Sequence, residues 1–488
     1  MSLAVALNTA RSSLATTAKQ LAVSGGNIAG ADDPNRTRKI AIPSTDADGS
    51  VRVVSVTRAT DLPVFYRLLA SRATTGGQNA LVDGLTRLSD TVGDTADGTS
   101  PAARMAALAI ALQAQANAPS DRNLAQASLT AAQAVVSTLA QATQTVTSVR
   151  NQADADMADS VGRLNDLLGQ FTTVNDSIVR KTIAGEDVTD ALDKRDALLG
   201  QISDEAGISV VTRANNDVAI YTDGGVTLFD KSARTVSFDP STALAPGVTG
   251  KSVTIDGVPV TGANTTMALR TGNLAGLATL RDTVAPTYQA QLDELARGLI
   301  DSFAESDQSG GGGSDLAGLF TWSGGPALPA AGALSSGLAA SLAVNSAVDP
   351  SKGGNLDRIR DGGINGANYK YNASGAVGYG ARLDGIVASL DAAQTFDGAS
   401  GLQSGVSVLS FSTASVSWLE DQRKTASDTA DYQNALMSRA SEALSNSTGV
   451  NIDDEYATQL QLEQSYQASS KLIAVINAMF QTLLEAVG

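Results

Sequence analysis

The sequence predicts a mainly α protein with inserted β structure. The expected architecture is an elongated helical rod built from both chain halves, with terminal coiled-coil helices and β-rich inserted domains. Three observations predict it. Leu7, Leu14, Leu21 and Ile28 recur every seven residues, with Leu3, Ala10, Thr17 and Ser24 at the intermediate positions. Leu462, Tyr466, Ser469, Ile473, Ile476, Phe480, Leu483 and Val487 alternate steps of four and three. Between them, Val135, Leu139, Ala142, Val146, Val149, Ala153, Met157, Leu164, Leu168, Phe171 and Ile178 keep steps of three, four or seven. A sustained seven-residue repeat puts a narrow apolar stripe on one side of a helix, and that stripe needs a partner.

Taken in order, residues 3–29 form the first helix, stopped by Gly30 and the Asp32-Asp33-Pro34-Asn35 cluster. Ile40 to Ile42 and Val51 to Val56 alternate like strands joined through Asp48-Gly49. Helical pattern resumes near Asp61, and Ser100 before Pro101 is an N-cap followed by a first-turn proline. That helix ends at Pro119, and Ser120-Asp121 opens the longest periodic stretch. Roughly 60 residues at ~1.5 Å each make a rod of about 90 Å, with Gly162 and Gly169 as points of bending. A shorter helix spans Asp187 to Asp204.

Residues 207–268 switch to period two. Strands are expected at Ile208–Val211, Val218–Thr222, Val226–Phe229, Thr235–Phe238 and Ser252–Ile255, with hairpin turns at Asp223-Gly224-Gly225 and Asp256-Gly257. Helix returns after Pro286, with Tyr288, Leu292, Leu295, Leu299 and Phe303 on one face. Ser309 to Ser314 is a flexible break. Residues 315–404 are rich in Gly, Asn and Ala, a loop-rich mixed insert. From Ser415 the chain is helical again, broken near Ser447-Thr448-Gly449. The expected division is 1–58 with 447–488 as a terminal coiled-coil assembly domain, disordered in the monomer. A helical rod takes 59–206, 269–308 and 405–446, with a β-rich insert at 207–268 and a loop-rich insert at 309–404.

Composition excludes several functions. The 488 residues carry 34 basic against 50 acidic side chains, a formal charge of −16. With no basic run, this argues against nucleic acid and against an anionic membrane surface. With no Cys and no His, thiolate nucleophiles, Ser-His triads and His metal ligands are excluded. The first 31 residues lack the apolar core and cleavage site of a Sec signal. Leu472 to Phe480 is far shorter than the ~20 residues of a membrane span. No cofactor or metal site is expected. Gly310 to Gly313 lacks the Lys-Ser/Thr of a phosphate loop, and Gly375, Gly378 and Gly380 lack a βαβ context. Asp32-Asp33 and Asp453-Asp454 sit at helix ends, where carboxylates cap backbone N–H groups. Asp193-Lys194-Arg195-Asp196 reads as an exposed, ion-paired helix face. Arg11 and Lys19 on the first helix complement Glu455, Glu463 and Glu485 on the last segment.

Five stretches carry a resemblance to a known family. Ser24-x-x-Asn27-Ile28-Ala29 is similar to the S-x-N-I-A/S signature of flagellar rod, hook and hook-associated proteins. Thr37-Arg38 resembles a T-R that follows Gly-Tyr in the family, here replaced by Asn35-Arg36, and Arg58 with Asp61 resembles V-x-R-x-x-D. Asp190 to Leu199 followed by Ile208-Ser209-Val210 looks like an L-x-D-x-R-D-x-L…G-V-x-V run. Gly272 to Leu277 with Arg281-Asp282, Tyr288, Leu292-Asp293 and Phe303 resembles G-x-L-x-G-L…R-D…Y…L-D…F. Gly449 to Tyr456 with Gln464, Tyr466, Ala468 and Ser469 resembles the C-terminal G-V-N-x-D-E-E…Q-x-x-Y-x-A-S. Together they resemble the flagellar hook-associated protein 1 family.

The resemblance implies a structural, non-enzymatic flagellar protein. It implies export through the flagellar type III apparatus, self-assembly as a ring at the hook tip, hook protein below and the second junction protein above. It also implies a cytoplasmic chaperone on the C-terminal helix and an extracellular location. The expected assembly interface comprises Leu7, Leu14, Leu21, Asn27, Ile28, Tyr456, Leu462, Tyr466, Ile473, Ile476, Phe480 and Leu483, with the first stripe paired to Ile473, Ile476, Phe480 and Leu483. The alternatives are another axial component (hook protein, flagellin or second junction protein) and a secreted adhesin or enzyme on a flagellin-like stalk.

Overall fold

The computed structural model describes residues 3–91, 98–263 and 265–487. Helix α1 (Leu3–Ala29) is followed by an antiparallel hairpin of β1 (Lys39–Thr45) and β2 (Val51–Arg58). Then come α2 (Leu62–Ser89), α3 (Pro101–Asn117), α4 (Arg122–Ala184) and α5 (Thr189–Glu205). The helix starts follow local chemistry. Asp61 accepts from the Val64 N–H, Ser100 from Ala103, and Asp121 from Asn123 and Leu124. Gly185, at φ 75°, closes α4 in the left-handed conformation.

Helix α4 runs 63 residues without interruption, ~95 Å at ~1.5 Å per residue. It passes through Gly162 and Gly169, where the sequence suggested bends. Both glycines face open space. The buried row Val161, Leu164, Leu168 and Phe171 beside them holds the helix on the core, offsetting the ~1 kcal/mol each glycine costs.

The insert after α5 holds two small antiparallel sheets. One orders β3 (Ile208–Thr212), β4 (Val218–Thr222), β5 (Thr227–Asp230) and β6 (Ser232–Ala233). The other orders β7 (Val236–Ser237), β8 (Thr254–Ile255) and β9 (Val258–Pro259). Phe229 meets Phe171 of α4 edge-on, centroids 5.0 Å apart, and seats the first sheet on the rod. The strands expected at 235–238 and 252–255 shrink to two residues each. The chain between them follows α4 side chains: Asn151 accepts from the Leu244 N–H and Asp154 from Ser241.

Helix returns earlier than the periodicity indicated. α6 (Asn273–Thr279) continues through a π turn at Leu280–Val284 into α7 (Ala285–Ser302). The start is made by Gly272 at φ 98°, followed by a close approach of two backbones. A Cβ on Gly276 would stand 2.1 Å from the Gly77 carbonyl oxygen of α2. Gly276→Ala must therefore part α2 from α6. A destabilisation of about 1–3 kcal/mol is expected, at the upper end because backbone rather than side chain has to move. Urea unfolding reads it, and an unchanged midpoint would refute the close-packing account.

α7 is buried on every side, not on one face. Most of its polar side chains find partners in the segment that follows or within the helix. Asp293 accepts from the Gly337 and Ala339 N–H groups, Gln291 donates to the Ser400 carbonyl, and Arg297 pairs with Glu294 and Asp301. Burial pushes the Asp293 carboxyl up to about 6, against these donors. The wrapping segment holds β10 (Phe320–Thr321), α8 (Leu338–Ser341), β11 (Ala343–Val344), α9 (Asp357–Asp361) and α10 (Ala381–Asp391). Phe320, Leu338, Val348, Ile359, Leu383 and Phe396 join the same contiguous core as α4 and α7. Glu305, wholly buried, accepts from the Ile364 and Asn365 N–H groups and helps hold the wrap.

α11 (Val408–Thr448) starts before Ser415, capped by Ser407, and packs along α2. The chain breaks at Gly449 as expected, and α12 (Ile452–Val487) follows. Asn451 accepts from the Asp453 and Asp454 N–H groups, so the cap is Asn451 and the two aspartates occupy the first turn. At the other acidic pair, Asp33 accepts from the Asn35 N–H in a turn after α1 rather than capping a helix.

Candidate assembly interface

α1 and α12 lie against each other, antiparallel. The Ser13 and Ser469 hydroxyls meet at 3.2 Å, and Ser24 donates to Glu455 Oε2 at 2.7 Å. This register decides which predicted residues meet. Six residues beyond the Ser13–Ser469 contact, Leu7 falls level with Val475 and Ile476. Leu3 lines a groove of about 520 Å³ with Val475, Ala478, Met479, Thr482, Leu483 and Ala486. Ile476 is buried at 4 % exposure, and Leu7, Leu14, Leu21, Ile28, Leu462, Ile473 and Phe480 are half-buried. Ile28 lies beside the start of α12, since Asn27 touches Glu455. By the same register Leu21 falls level with residues 460–462, so neither it nor Ile28 reaches Ile473 to Leu483, where the sequence pairing puts them.

Tyr456, Tyr466 and Leu483 are 57 %, 39 % and 54 % exposed. Leu460, Leu472, Val475, Met479 and Leu484 are exposed as well. α12 thus keeps exposed apolar side chains beyond those that α1 covers. A single stripe read along the sequence does not separate covered from exposed positions, because i, i+3 and i+4 steps drift around the helix.

Polar residues fasten the seam at one end. Glu455, 2 % exposed, accepts from Ser24, from Asn27 Nδ2 at 3.2 Å and from Arg38 Nε at 2.7 Å. Asn27, 1 % exposed, also donates to the Lys39 carbonyl at 2.8 Å and accepts the Lys39 N–H at 3.0 Å. The Arg38 N–H donates to the Thr448 carbonyl. One carboxylate therefore joins the end of α1, the loop after it and the start of α12. Of these residues only Asn27 was singled out from sequence. Ser24 and Arg38 lie inside quoted motifs, and Glu455 was assigned to a different pairing. Arg11 and Lys19 are exposed and form no ion pair among the described residues; Arg38 supplies the cation instead.

A second cluster joins the β1–β2 hairpin to α5. Thr37 donates to Asp193 Oδ1 at 2.6 Å, Arg58 bonds Asp193 at 3.0 Å and Asp196 at 2.7 Å, and Lys39 pairs with Asp190 and approaches Asp193 at 3.8 Å. Asp193 and Arg195 are buried, which corrects the reading of this stretch as an exposed helix face. Arg195 donates to Asn175 Oδ1 and the Asn216 carbonyl, so it faces α4 while Asp193 faces the hairpin. Burial lowers the Lys39 pKa, aided by Arg36 and opposed by Asp193 and Asp187. Burial raises the Asp196 carboxyl, opposed by Arg58.

The hairpin is in turn the floor beneath α1. Thr16 donates to the Val51 carbonyl at 2.8 Å, and the Val51 N–H donates to Ser12 Oγ at 3.0 Å. Among the described residues, no helix is long and apolar enough to cross a membrane.

Residues 85–319 match the family model of the flagellar hook-associated protein FlgK helical domain. Residues 441–486, which contain almost all of α12, match that of the flagellar basal body rod FlgEFG protein C-terminal. A curated relative, flagellar hook-associated protein 1 of Escherichia coli (strain K12), is 24% identical over 327 residues, 64% of this chain and 58% of that protein. The chain thus spans under two thirds of that relative's length. A solved structure, the flagellar hook junction protein FlgK from Burkholderia pseudomallei, aligns with a TM-score of 0.41 and 23% identity over 53% of this chain and 46% of that one.

Proposed function

The chain belongs to the family of the flagellar hook-associated protein FlgK, and we propose that it is a structural component of the bacterial flagellum that self-assembles at the hook tip and connects hook to filament. The observation that carries this reading is the half-covered α12. Its exposed apolar side chains, Leu460, Leu472, Val475, Met479 and Leu484, are surface left uncovered by α1 that a neighbouring subunit would cover. The seam with α1 is the assembled form. Before export both ends are unpaired, and a cytoplasmic chaperone covers the C-terminal helix. The type III apparatus delivers the chain to the cell exterior, where copies form a ring with hook protein below and the second junction protein above. No catalytic step is assigned to it.

One observation favours the junction role over another axial component. The C-terminal match is to rod-type proteins, but the match over α3, α4, α5 and the β insert is to the helical domain of the hook-associated protein. Against a stalk that carries an adhesin or enzyme stands the segment 309–404, many of whose apolar side chains are spent on the rod core.

The test is a charge in the seam. Ile476→Asp is expected to leave a folded, soluble chain and to abolish junction assembly and swimming. Leu14→Asp is the matching change on α1. Normal swimming of both variants would overturn the proposal.

A further inference from the structure

Among the described contacts, the assembly module and the rod share few direct side-chain bonds. The module comprises α1, the hairpin and α12. Glu455 closes it on itself through Ser24, Asn27 and Arg38. Its attachment to the rod runs through Thr37, Lys39 and Arg58, and all three converge on the Asp193 carboxylate. Asp196 adds a second bond to Arg58 and Asp190 a second to Lys39. The Lys39, Arg58 and Asp193 side chains are each under a tenth exposed, whereas Asp190 is 83 % exposed. Elsewhere the module is joined by the backbone bond from the Arg38 N–H to the Thr448 carbonyl at the end of α11, and by single strands of chain, residues 59–61 into α2 and 449–451 between α11 and α12.

All three groups belong to the hairpin and the loop before it. None belongs to α1 or α12. The hairpin can therefore be held on the rod whether or not the two helices are in place. Once held, it presents Val51 to Ser12 and Thr16, and the Lys39 backbone to Asn27. These are four hydrogen bonds that orient α1.

We propose that Asp193 is a latch that fixes the hairpin in one orientation on the rod, making it a preset dock on which α1 and then α12 are ordered during assembly. The ordering role rests on the junction reading, while the latch itself is a property of the free chain. A preset dock lowers the ordering cost of assembly, because the hairpin need not be positioned at the same time as the helices.

The absence of cysteine makes the test clean. Ala47→Cys at the exposed hairpin turn and Arg180→Cys on the exposed side of α4 take one spin label each, and their distance distribution is measured in the free, full-length chain. A single narrow distance is expected. Asp193→Asn should broaden it at least twofold with helix content unchanged, and Asp190→Asn should leave it narrow. If Asp193→Asn also perturbs α5, the double variant Lys39→Gln, Arg58→Gln removes the same contacts from the hairpin side and decides the matter. A distribution as narrow in that double variant as in the parent overturns the latch, and so does a parent as broad as the variant. Neither result bears on where the protein sits in the flagellum, so the latch and the junction role fail separately.

Discussion

Arg281→Met is expected to destabilise the rod by about 3–5 kcal/mol, the usual cost of leaving one member of a buried ion pair alone. Arg281 has no exposed surface. Its guanidinium bonds Asp154 at 2.5 Å, Asp282 at 2.7 Å and the Lys251 carbonyl at 2.7 Å, and it stacks on Phe238 at 5.6 Å. Asp154, on α4, is 2 % exposed and among the described residues keeps only the Ser241 N–H as a hydrogen-bond donor once the arginine is gone. The charge would then be buried with half its partners. Arg150 reaches the Arg281, Leu244, Ala245 and Val248 carbonyls, so the loop over 241–251 is held by two arginines that share one backbone. The measurement is urea unfolding followed by helix signal. The double variant Arg281→Met, Asp154→Leu should recover much of the loss, because a pair replaced by apolar groups leaves no orphan charge. Equal stability of Arg281→Met and the parent would contradict this account.

Glu455→Ala should have the largest effect on assembly of any single change at the polar end of the seam. It strips partners from Ser24, Asn27 and Arg38 at once. Buried donors left unsatisfied cost about 1–3 kcal/mol each. Arg38, about a third exposed, can turn to water, whereas Ser24 and Asn27 cannot. Arg38→Ala should accordingly be mild, and Asn27→Ala severe, since Asn27 also pairs with the Lys39 backbone in both directions. Swimming-halo diameter in soft agar reads the series. The expected order of loss is Glu455→Ala, then Asn27→Ala, then Arg38→Ala. An Arg38→Ala variant as defective as Glu455→Ala would show that the carboxylate is not the hub.

Local chemistry made most elements legible. Gly30 ends α1, Asp61, Ser100 and Asp121 start three helices, and Asp48-Gly49 turns the hairpin, with Gly49 at φ 83°. What stayed hidden depends on distant residues. The burial of Asp193 requires Arg58, 135 positions away, and that of Glu455 requires Ser24, 431 positions away. A charged helix stretch looks the same in sequence whether it faces water or a cation. The all-round burial of α7 was hidden for a similar reason, because several of its polar side chains find backbone partners in a low-pattern segment. The seam was half legible. Periodicity located Ile473, Ile476 and Phe480, yet it could not tell that Tyr456, Tyr466 and Leu483 stay largely exposed, since that depends on the register with α1.

The central claim is that this chain forms the junction between hook and filament. Immunogold labelling of isolated hook–filament complexes tests it most directly. The account predicts one narrow band of label at the hook tip, lost in the Ile476→Asp variant. Label along the whole filament, along the hook, or dispersed over the cell surface would contradict it.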